Sequence, residues 1–211
     1  MNDLGAFGDW RPKDVKTSAL EEYLGSLKAS FLKDAKYTEE IWQNYKNHLD
    51  RHFLRITDFL NSQDVLFKNL VLGNVQAGKT GHLISSIAWA YDNEFDLVIL
   101  LNGNKHTLNA QTSKRVNKAL GTRIKLTSVQ TEAAKAYETF TKELDELIVK
   151  RQVPGAPLPV AVLIKNASRL DGLSQGIESA IKNANLGDLR VLVLDDEADQ
   201  VSPDANTANA H

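Results

Sequence analysis

The chain of 211 residues lacks cysteine altogether and has no long apolar run. The absence of cysteine excludes disulfides, thiol catalysis and cysteine-based zinc sites, and it suits a reducing compartment. No apolar run approaches the roughly 20 residues that a membrane span needs. Because no basic segment followed by an apolar core stands near residue 1, we also expect no signal peptide, no membrane partner and a cytoplasmic location.

An excess of charge of one sign is also lacking. The formal net charge is −2, from 25 Lys and Arg residues against 27 Asp and Glu residues. No global basic field therefore favours nucleic acid, and any such contact has to be a local patch. Hydrophobic residues make up 42% of the chain, which is enough for a sizeable core. The length suits one α/β domain with an extension.

The most informative motif is a glycine-rich stretch that fits G-x-x-x-x-G-K-[ST], the phosphate-binding P-loop. It consists of Gly73, Asn74, Val75, Gln76, Ala77, Gly78, Lys79 and Thr80. The apolar stretch 66–72 precedes it and indicates a buried strand, and apolar residues at helical spacing follow it. Strand, glycine loop and helix form the context in which this motif binds phosphate. The alternative is a glycine turn before an ordinary helix.

The residue types in this motif suit a chain of phosphates. The two glycines let the backbone approach the anion closely, and successive N–H groups converge on it at the start of the helix. Lys79 reaches the terminal phosphates as a point charge. The Thr80 hydroxyl is placed to ligate Mg²⁺. We therefore predict a site for a nucleotide phosphate chain and Mg²⁺.

A second motif follows the short apolar run at 190–194, where Asp195, Asp196 and Glu197 come in succession. Acidic side chains in this position emerge at the carboxyl end of a strand, where ligands of open α/β sheets bind. We predict that Asp196 holds Mg²⁺ through water. Glu197 is predicted to orient or deprotonate the attacking water, as a catalytic residue alongside Lys79. The alternative is an acidic cap on a surface strand.

Residues 17–62 are predicted to form two helices, capped by Ser18 and Thr38. The second helix has an apolar stripe of Ile41, Tyr45, Leu49, Phe53, Ile56 and Leu60. We favour intramolecular packing of this element over the docking of a partner. We therefore expect an N-terminal arm and helical extension at 1–62 and a nucleotide-binding domain at 63–211.

From residue 66 onward, predicted strands and helices alternate, which implies an α/β fold with a parallel sheet flanked by helices. Strands are predicted at 66–72, 96–102, 123–127, 160–165 and 190–194. Helices are predicted at 79–92, 105–120, 130–150 and 169–184.

Hydrogen-bond donors are concentrated after the second predicted strand. The candidate nucleic-acid contacts are Asn104, Lys105, His106, Gln111 and Arg115. A helix N-terminus with a cation and several polar groups suits a nucleic-acid phosphate, and the alternative is a solvated helix face.

His48 and His52 lie four residues apart on the second predicted helix, a spacing that can bind a metal. No third ligand is evident, and we interpret both as helix-face residues.

The glycine-rich motif and the acidic motif together resemble the first RecA-like domain of superfamily 2 helicases. More narrowly, they are similar to the Z-one family of bacterial helicase-like ATPases, which is associated with restriction and phage-defence systems. The resemblance covers about 66–207, and Ala77 stands where the family usually has serine. It implies a RecA-like fold, ATP with Mg²⁺ as cofactors, and hydrolysis coupled to remodelling of DNA, with duplex DNA favoured. A nuclease subunit or domain is a further implied partner, and Asp199 matches the last residue of the D-E-A-D signature.

Motors of superfamily 2 also have a second RecA-like domain, which supplies an arginine finger. The 211 residues do not include it, so we expect a truncated motor domain with slow hydrolysis and no unwinding. Two other functions stay open. One is a different P-loop enzyme such as a small-molecule kinase, and the other is a non-catalytic module that senses nucleotide or docks a partner through 17–62.

Overall fold

The computed structural model describes residues 18–34, 36–62, 66, 68, 79–102, 106–128, 134–164, 167–183 and 189–196. The chain divides into two compact units, Met1–Glu94 and Phe95–His211. The first contains helices α1 (Ala19–Phe31), α2 (Glu39–Leu60) and α3 (Lys79–Asp92). The helix that follows the glycine-rich motif therefore belongs with the N-terminal helices in this division. The domain organisation expected from the sequence, with a boundary at 62/63, stays a prediction.

Side-chain caps start the first two helices, as the sequence predicts. The Ser18 hydroxyl accepts a hydrogen bond from the Glu21 backbone N–H at 3.3 Å, and the Thr38 hydroxyl accepts one from the Ile41 N–H at 3.3 Å. Each cap satisfies one of the backbone donors that a helix N-terminus leaves unpaired. Acidic residues fill the first turn of both helices, which favours the positive end of the helix dipole.

The buried side of α2 differs in part from the predicted stripe. Leu49, Phe53 and Ile56 are buried as expected, but Ile41 is 41% exposed and Trp42 is 4% exposed in its place. The stripe is therefore rotated at the start of the helix, where an aromatic residue takes the buried position.

An aromatic cluster explains this rotation. The Trp42 ring lies 5.6 Å from the Tyr45 ring and 6.0 Å from the Phe31 ring of α1, measured between centroids. Aromatic pairs at such distances add to the free energy gained by burial alone. A Cβ built on Gly81 of α3 would lie only 3.0 Å from the Tyr45 hydroxyl oxygen. Helix α3 thus approaches the cluster closely at a position without a side chain.

Helix α3 is the most deeply buried helix of the first unit within the described ranges. The Trp89 ring stacks on the Phe53 ring of α2 at 5.2 Å and 5° between planes. In the same last turn of α3, the carboxylate of Asp92 receives hydrogen bonds from the Ser18 hydroxyl and from the backbone N–H groups of Ala19 and Leu20, at 2.5, 2.8 and 2.9 Å. A buried carboxylate on α3 therefore holds the N-terminus of α1.

Within the described residues, the second unit contains a parallel sheet of four strands, in the order β2-β3-β1-β4. The strands are β1 (Leu97–Asn102), β2 (Ile124–Ser128), β3 (Leu158–Ile164) and β4 (Val191–Asp195). The helices that alternate with them are α4 (His106–Leu120), α5 (Ala134–Arg151) and α6 (Ala167–Asn183), with a 3₁₀ turn at Gly121–Arg123. The α/β class and the parallel sheet predicted from the sequence are confirmed.

The predicted first strand, 66–72, is described only in part. Of the stretch 66–72, only Leu66 and Lys68 belong to the described residues, and both are exposed and outside any strand. The other residues of that stretch lie outside the described part of the chain.

One face of the sheet is covered by α5 and α6. Phe140 and Leu144 of α5 and Leu173 of α6 are buried in one cluster with strand residues that include Ile99 and Leu163. Strand residues at alternate positions share a face, so this cluster defines one side of the sheet. The cluster forms the main core of the second unit.

Helix α4 packs against β2 and β3 through Val116 and Leu120, which are 0% and 2% exposed. Neither side chain belongs to the core cluster around α5 and α6. Crossover connections between parallel strands are right-handed. Along the sheet, the chain moves in one direction from β1 to β2 and in the opposite direction from β2 to β3 and from β3 to β4. The helix of the first connection, α4, is therefore on the opposite face from α5 and α6, the helices of the other two. Helix α4 therefore covers the second face of the sheet.

Candidate functional site

The last two residues of the glycine-rich motif lie where the motif predicts them. Lys79 is the first residue of α3 and is exposed, and Thr80 follows in the first turn and is half-buried. Backbone N–H groups in a first turn have no partner within the helix and favour an anion. A lysine and a hydroxyl in this turn are suited to hold phosphate and its metal. The motif residues 73–78 lie outside the described residues.

The acidic motif stands at the carboxyl end of β4. Asp195 is the last residue of the strand and is exposed, and Asp196 follows in a turn and is half-buried. The backbone N–H of Asp196 donates to the Leu101 carbonyl at 2.9 Å, which sets it beside the end of β1. The Asp196 carboxylate is therefore at the edge of the sheet predicted from the sequence. Glu197 and Asp199 lie outside the described residues.

A topological switch point adjoins this edge. Strands β1 and β3 are neighbours, and the helices that follow them, α4 and α6, lie on opposite faces of the sheet. In open α/β sheets, ligands bind in the crevice outside the carboxyl ends of such strands. Asn102 is the last residue of β1 at this point, and it is only 2% exposed.

Asn102 was not among the residues that we assigned to the site from the sequence. A polar residue that ends an otherwise apolar strand is the signal that identifies it, because a buried amide needs hydrogen-bond partners. Its position makes it a candidate to orient groups at the switch point.

The candidate nucleic-acid contacts are described only in part. Asn104 and Lys105 lie outside the described residues, and His106 begins α4. Gln111 and Arg115 are both exposed and stand one helical turn apart. The structure therefore brings Gln111 and Arg115 together on the exposed side of α4.

Two of the first unit's histidines form a contact between α2 and α3. The rings of His52 and His82 lie 4.8 Å apart between centroids, and His82 Nε2 is buried with no hydrogen-bond partner among the described residues. Burial lowers the pKa of His82 to about 4, and the nearby His52 and His48 add to the effect. Burial and the neighbouring Arg55 lower the pKa of His52 as well. This geometry suits two neutral rings in packing contact.

A pH dependence of stability follows from His82. Its folded-state pKa is depressed below the unfolded value of about 6.5, so the unfolded chain binds more protons as the pH falls. We expect unfolding free energy to be highest above pH 6.5 and to fall by up to about 3 kcal/mol between pH 6.5 and pH 4 because of this group. Between pH 7.5 and pH 4.5, the free energy of unfolding of His82→Phe, measured with urea, should fall by less than that of the unsubstituted chain. An equal loss in both would assign the effect to other groups.

Among the described residues, no group of three or more His, Asp or Glu side chains is arranged to hold a metal ion. Within the same ranges, no helix has the length and apolar character to cross a membrane. No protein-family model, curated protein or solved structure matches the chain.

Proposed function

We propose that the chain binds ATP with Mg²⁺ and hydrolyses it, as the nucleotide-binding domain of a RecA-like motor of the superfamily 2 type. One observation carries the proposal: Lys79 and Thr80, the last two residues of the glycine-rich motif, lie in helix α3. A phosphate-binding loop requires a helix directly after its second glycine.

Each motif supplies a separate part of the chemistry. In the first, Gly73 and Gly78 admit the phosphate chain, Lys79 balances its terminal charge and Thr80 offers a hydroxyl to the metal. In the second, Asp196 holds the metal through water.

The catalytic step falls to Glu197, which orients the attacking water and accepts its proton. The bound metal supplies charge neutralisation on the phosphate oxygens. Hydrolysis in this proposal depends on residues of both motifs serving the same nucleotide.

The architecture of the second unit supports a nucleotide-dependent enzyme of this class. An all-parallel sheet with helices on both faces has its ligand sites at the carboxyl ends of the strands. Asp196 occupies that end of β4, and Asn102 ends the neighbouring β1. Within the proposal, DNA is the partner on which the motor acts, and a nuclease subunit or domain is a further partner.

The proposal is tested by replacing Glu197 with glutamine. We expect ATP hydrolysis to fall by about 10²- to 10⁴-fold, the contribution of a positioned general base, while Mg²⁺-dependent binding of ATP is retained. Phosphate release and equilibrium binding of a fluorescent ATP analogue measure the two effects. Glu138→Gln, which removes an exposed carboxylate on α5, is the matched control and should leave both unchanged.

Two outcomes would replace the proposal. Unchanged hydrolysis in Glu197→Gln would favour the non-catalytic nucleotide-sensing module. Phosphoryl transfer to a small acceptor, with no stimulation of hydrolysis by duplex DNA, would favour the kinase.

A further inference from the structure

The segment 97–131 contains no Asp or Glu, although the chain has 27 such residues in total. Six cations lie within it, at Lys105, Lys114, Arg115, Lys118, Arg123 and Lys125. The rest of the chain therefore carries 19 cations and 27 carboxylates, a net charge of −8 against +6 for this segment. The segment is therefore a basic stretch of sequence in an otherwise acidic chain.

Helix α4 arranges part of this charge as a stripe. Gln111, Lys114, Arg115 and Lys118 follow the spacing i, i+3, i+4 and i+7, which places them on one face of a helix. All four are exposed. The buried Val116 lies on the opposite side, against the sheet. The stripe of these four residues therefore faces outward.

The two lysines of the stripe carry charge that no carboxylate among the described residues neutralises. Neither Lys114 nor Lys118 has a carboxylate partner within the described ranges. The Cα atoms of Lys114 and Lys118 lie about one helical turn apart, about 6 Å along the helix axis. Like charges held this close on a helix repel each other, so the arrangement lowers stability slightly unless an anion binds.

We propose that the α4 stripe binds the phosphate backbone of duplex DNA, as a contact surface on the flank of the sheet. The choice of DNA rests on the proposed function; Lys114 and Lys118 are new, because the contacts predicted from the sequence include Gln111 and Arg115 of this helix but neither lysine. A row of cations suits a row of phosphates. The described side chains of α4 include no exposed large hydrophobic residue and no aromatic ring, which disfavours membrane insertion and base stacking. The contact is therefore independent of base sequence.

The test is DNA binding by the 211-residue chain with Lys114→Gln and Lys118→Gln combined. Fluorescence anisotropy of a labelled duplex of about 25 base pairs, measured from about 50 to 200 mM salt, gives the affinity and its salt dependence. The slope of log K against log salt should decrease by about 2, close to 0.9 for each lost phosphate contact. The affinity at about 0.1 M salt should fall roughly 10-fold or more.

The matched control is Lys125→Gln. Lys125 is also exposed and unpaired within the described ranges, but it shares the register and the face of Pro159 in the sheet, on the side covered by α5. In Lys125→Gln, the slope of log K against log salt should decrease by less than about 0.5. Both substituted lysines are exposed, so the double variant should unfold at the same urea concentration as the unsubstituted chain. Its ATP hydrolysis without DNA should also be unchanged.

Four results would overturn the α4 contact. Unchanged DNA affinity in the double variant, or an equal loss in Lys125→Gln, would do so while leaving the proposed ATPase intact. An unsubstituted chain that binds no duplex would remove both the stripe and DNA as partner, and the Glu197→Gln experiment would decide the ATPase separately. Tighter binding to phosphatidylserine vesicles than to duplex DNA would assign the stripe to a membrane surface.

Discussion

Replacing Lys79 with alanine is expected to lower ATP hydrolysis at least about 100-fold, because a positioned charge that stabilises the transferring phosphoryl group is worth about that much in other enzymes. Lys79 is exposed at the start of α3 and has no ion pair within the described residues. The fold therefore does not depend on it, and a lost rate reports the chemistry alone.

Phosphate release under saturating Mg²⁺ and ATP measures this effect. Lys33→Ala, which removes an exposed lysine after α1, is the control and should hydrolyse ATP at the unsubstituted rate. The urea midpoint of Lys79→Ala should equal that of the unsubstituted chain. If turnover persists in a folded Lys79→Ala protein, the phosphate site lies elsewhere.

Replacing Asp92 with alanine is expected to lower the free energy of unfolding by about 3–5 kcal/mol, in the range found when one member of a buried charged network is removed. The Asp92 side chain is 1% exposed and accepts three hydrogen bonds from the start of α1. Its loss leaves the Ser18 hydroxyl and the N–H groups of Ala19 and Leu20 without their acceptor.

Urea unfolding followed by far-UV circular dichroism measures the change. Ser18→Ala should cost only about 1 kcal/mol, since it removes one cap and leaves the carboxylate with two backbone donors. Asp58→Ala, an exposed position on α2, should be within about 0.5 kcal/mol of the unsubstituted chain. A loss below about 1 kcal/mol for Asp92→Ala would contradict the anchoring role.

Local sequence signals were sufficient for most helices and strands. Helix α3 runs over Lys79–Asp92 as predicted, because apolar residues recur at helical spacing from Leu83 onward and the polar Asn93 and Glu94 follow the helix. The parallel sheet could also be predicted, since short apolar strands separated by helices leave few other arrangements. Ser18 and Thr38 could be recognised as caps from residue type and spacing alone.

Tertiary contacts account for what the sequence did not reveal. Asp92 ends α3, where a carboxylate opposes the helix dipole, and only its distant partners in α1 explain it. Trp42 displaces Ile41 from the buried side of α2 because the rings of Phe31 and Tyr45 provide a partner that apolar periodicity does not reveal.

The described residues of the candidate site could be placed in their helix or strand from the sequence. Lys79 and Thr80 at a helix start and Asp196 after a strand lie at the predicted positions in their elements. The phosphate loop at 73–78 and the catalytic Glu197 lie outside the described residues and stay predictions. The α4 stripe could have been found from the sequence, because the segment 97–131 without a carboxylate is visible there. Its orientation needed the structure, since only the buried Val116 and Leu120 define which side faces outward.

Equilibrium binding of a fluorescent ATP analogue, with Mg²⁺ and with EDTA, tests the central claim most directly. The chain should bind the analogue tightly with Mg²⁺ and weakly in EDTA. Asp196→Asn should weaken binding in Mg²⁺ by about tenfold and leave the EDTA value unchanged, whereas Lys79→Ala should weaken binding under both conditions. If either variant binds as tightly as the unsubstituted chain in Mg²⁺, the two motifs do not serve one nucleotide and the account is contradicted.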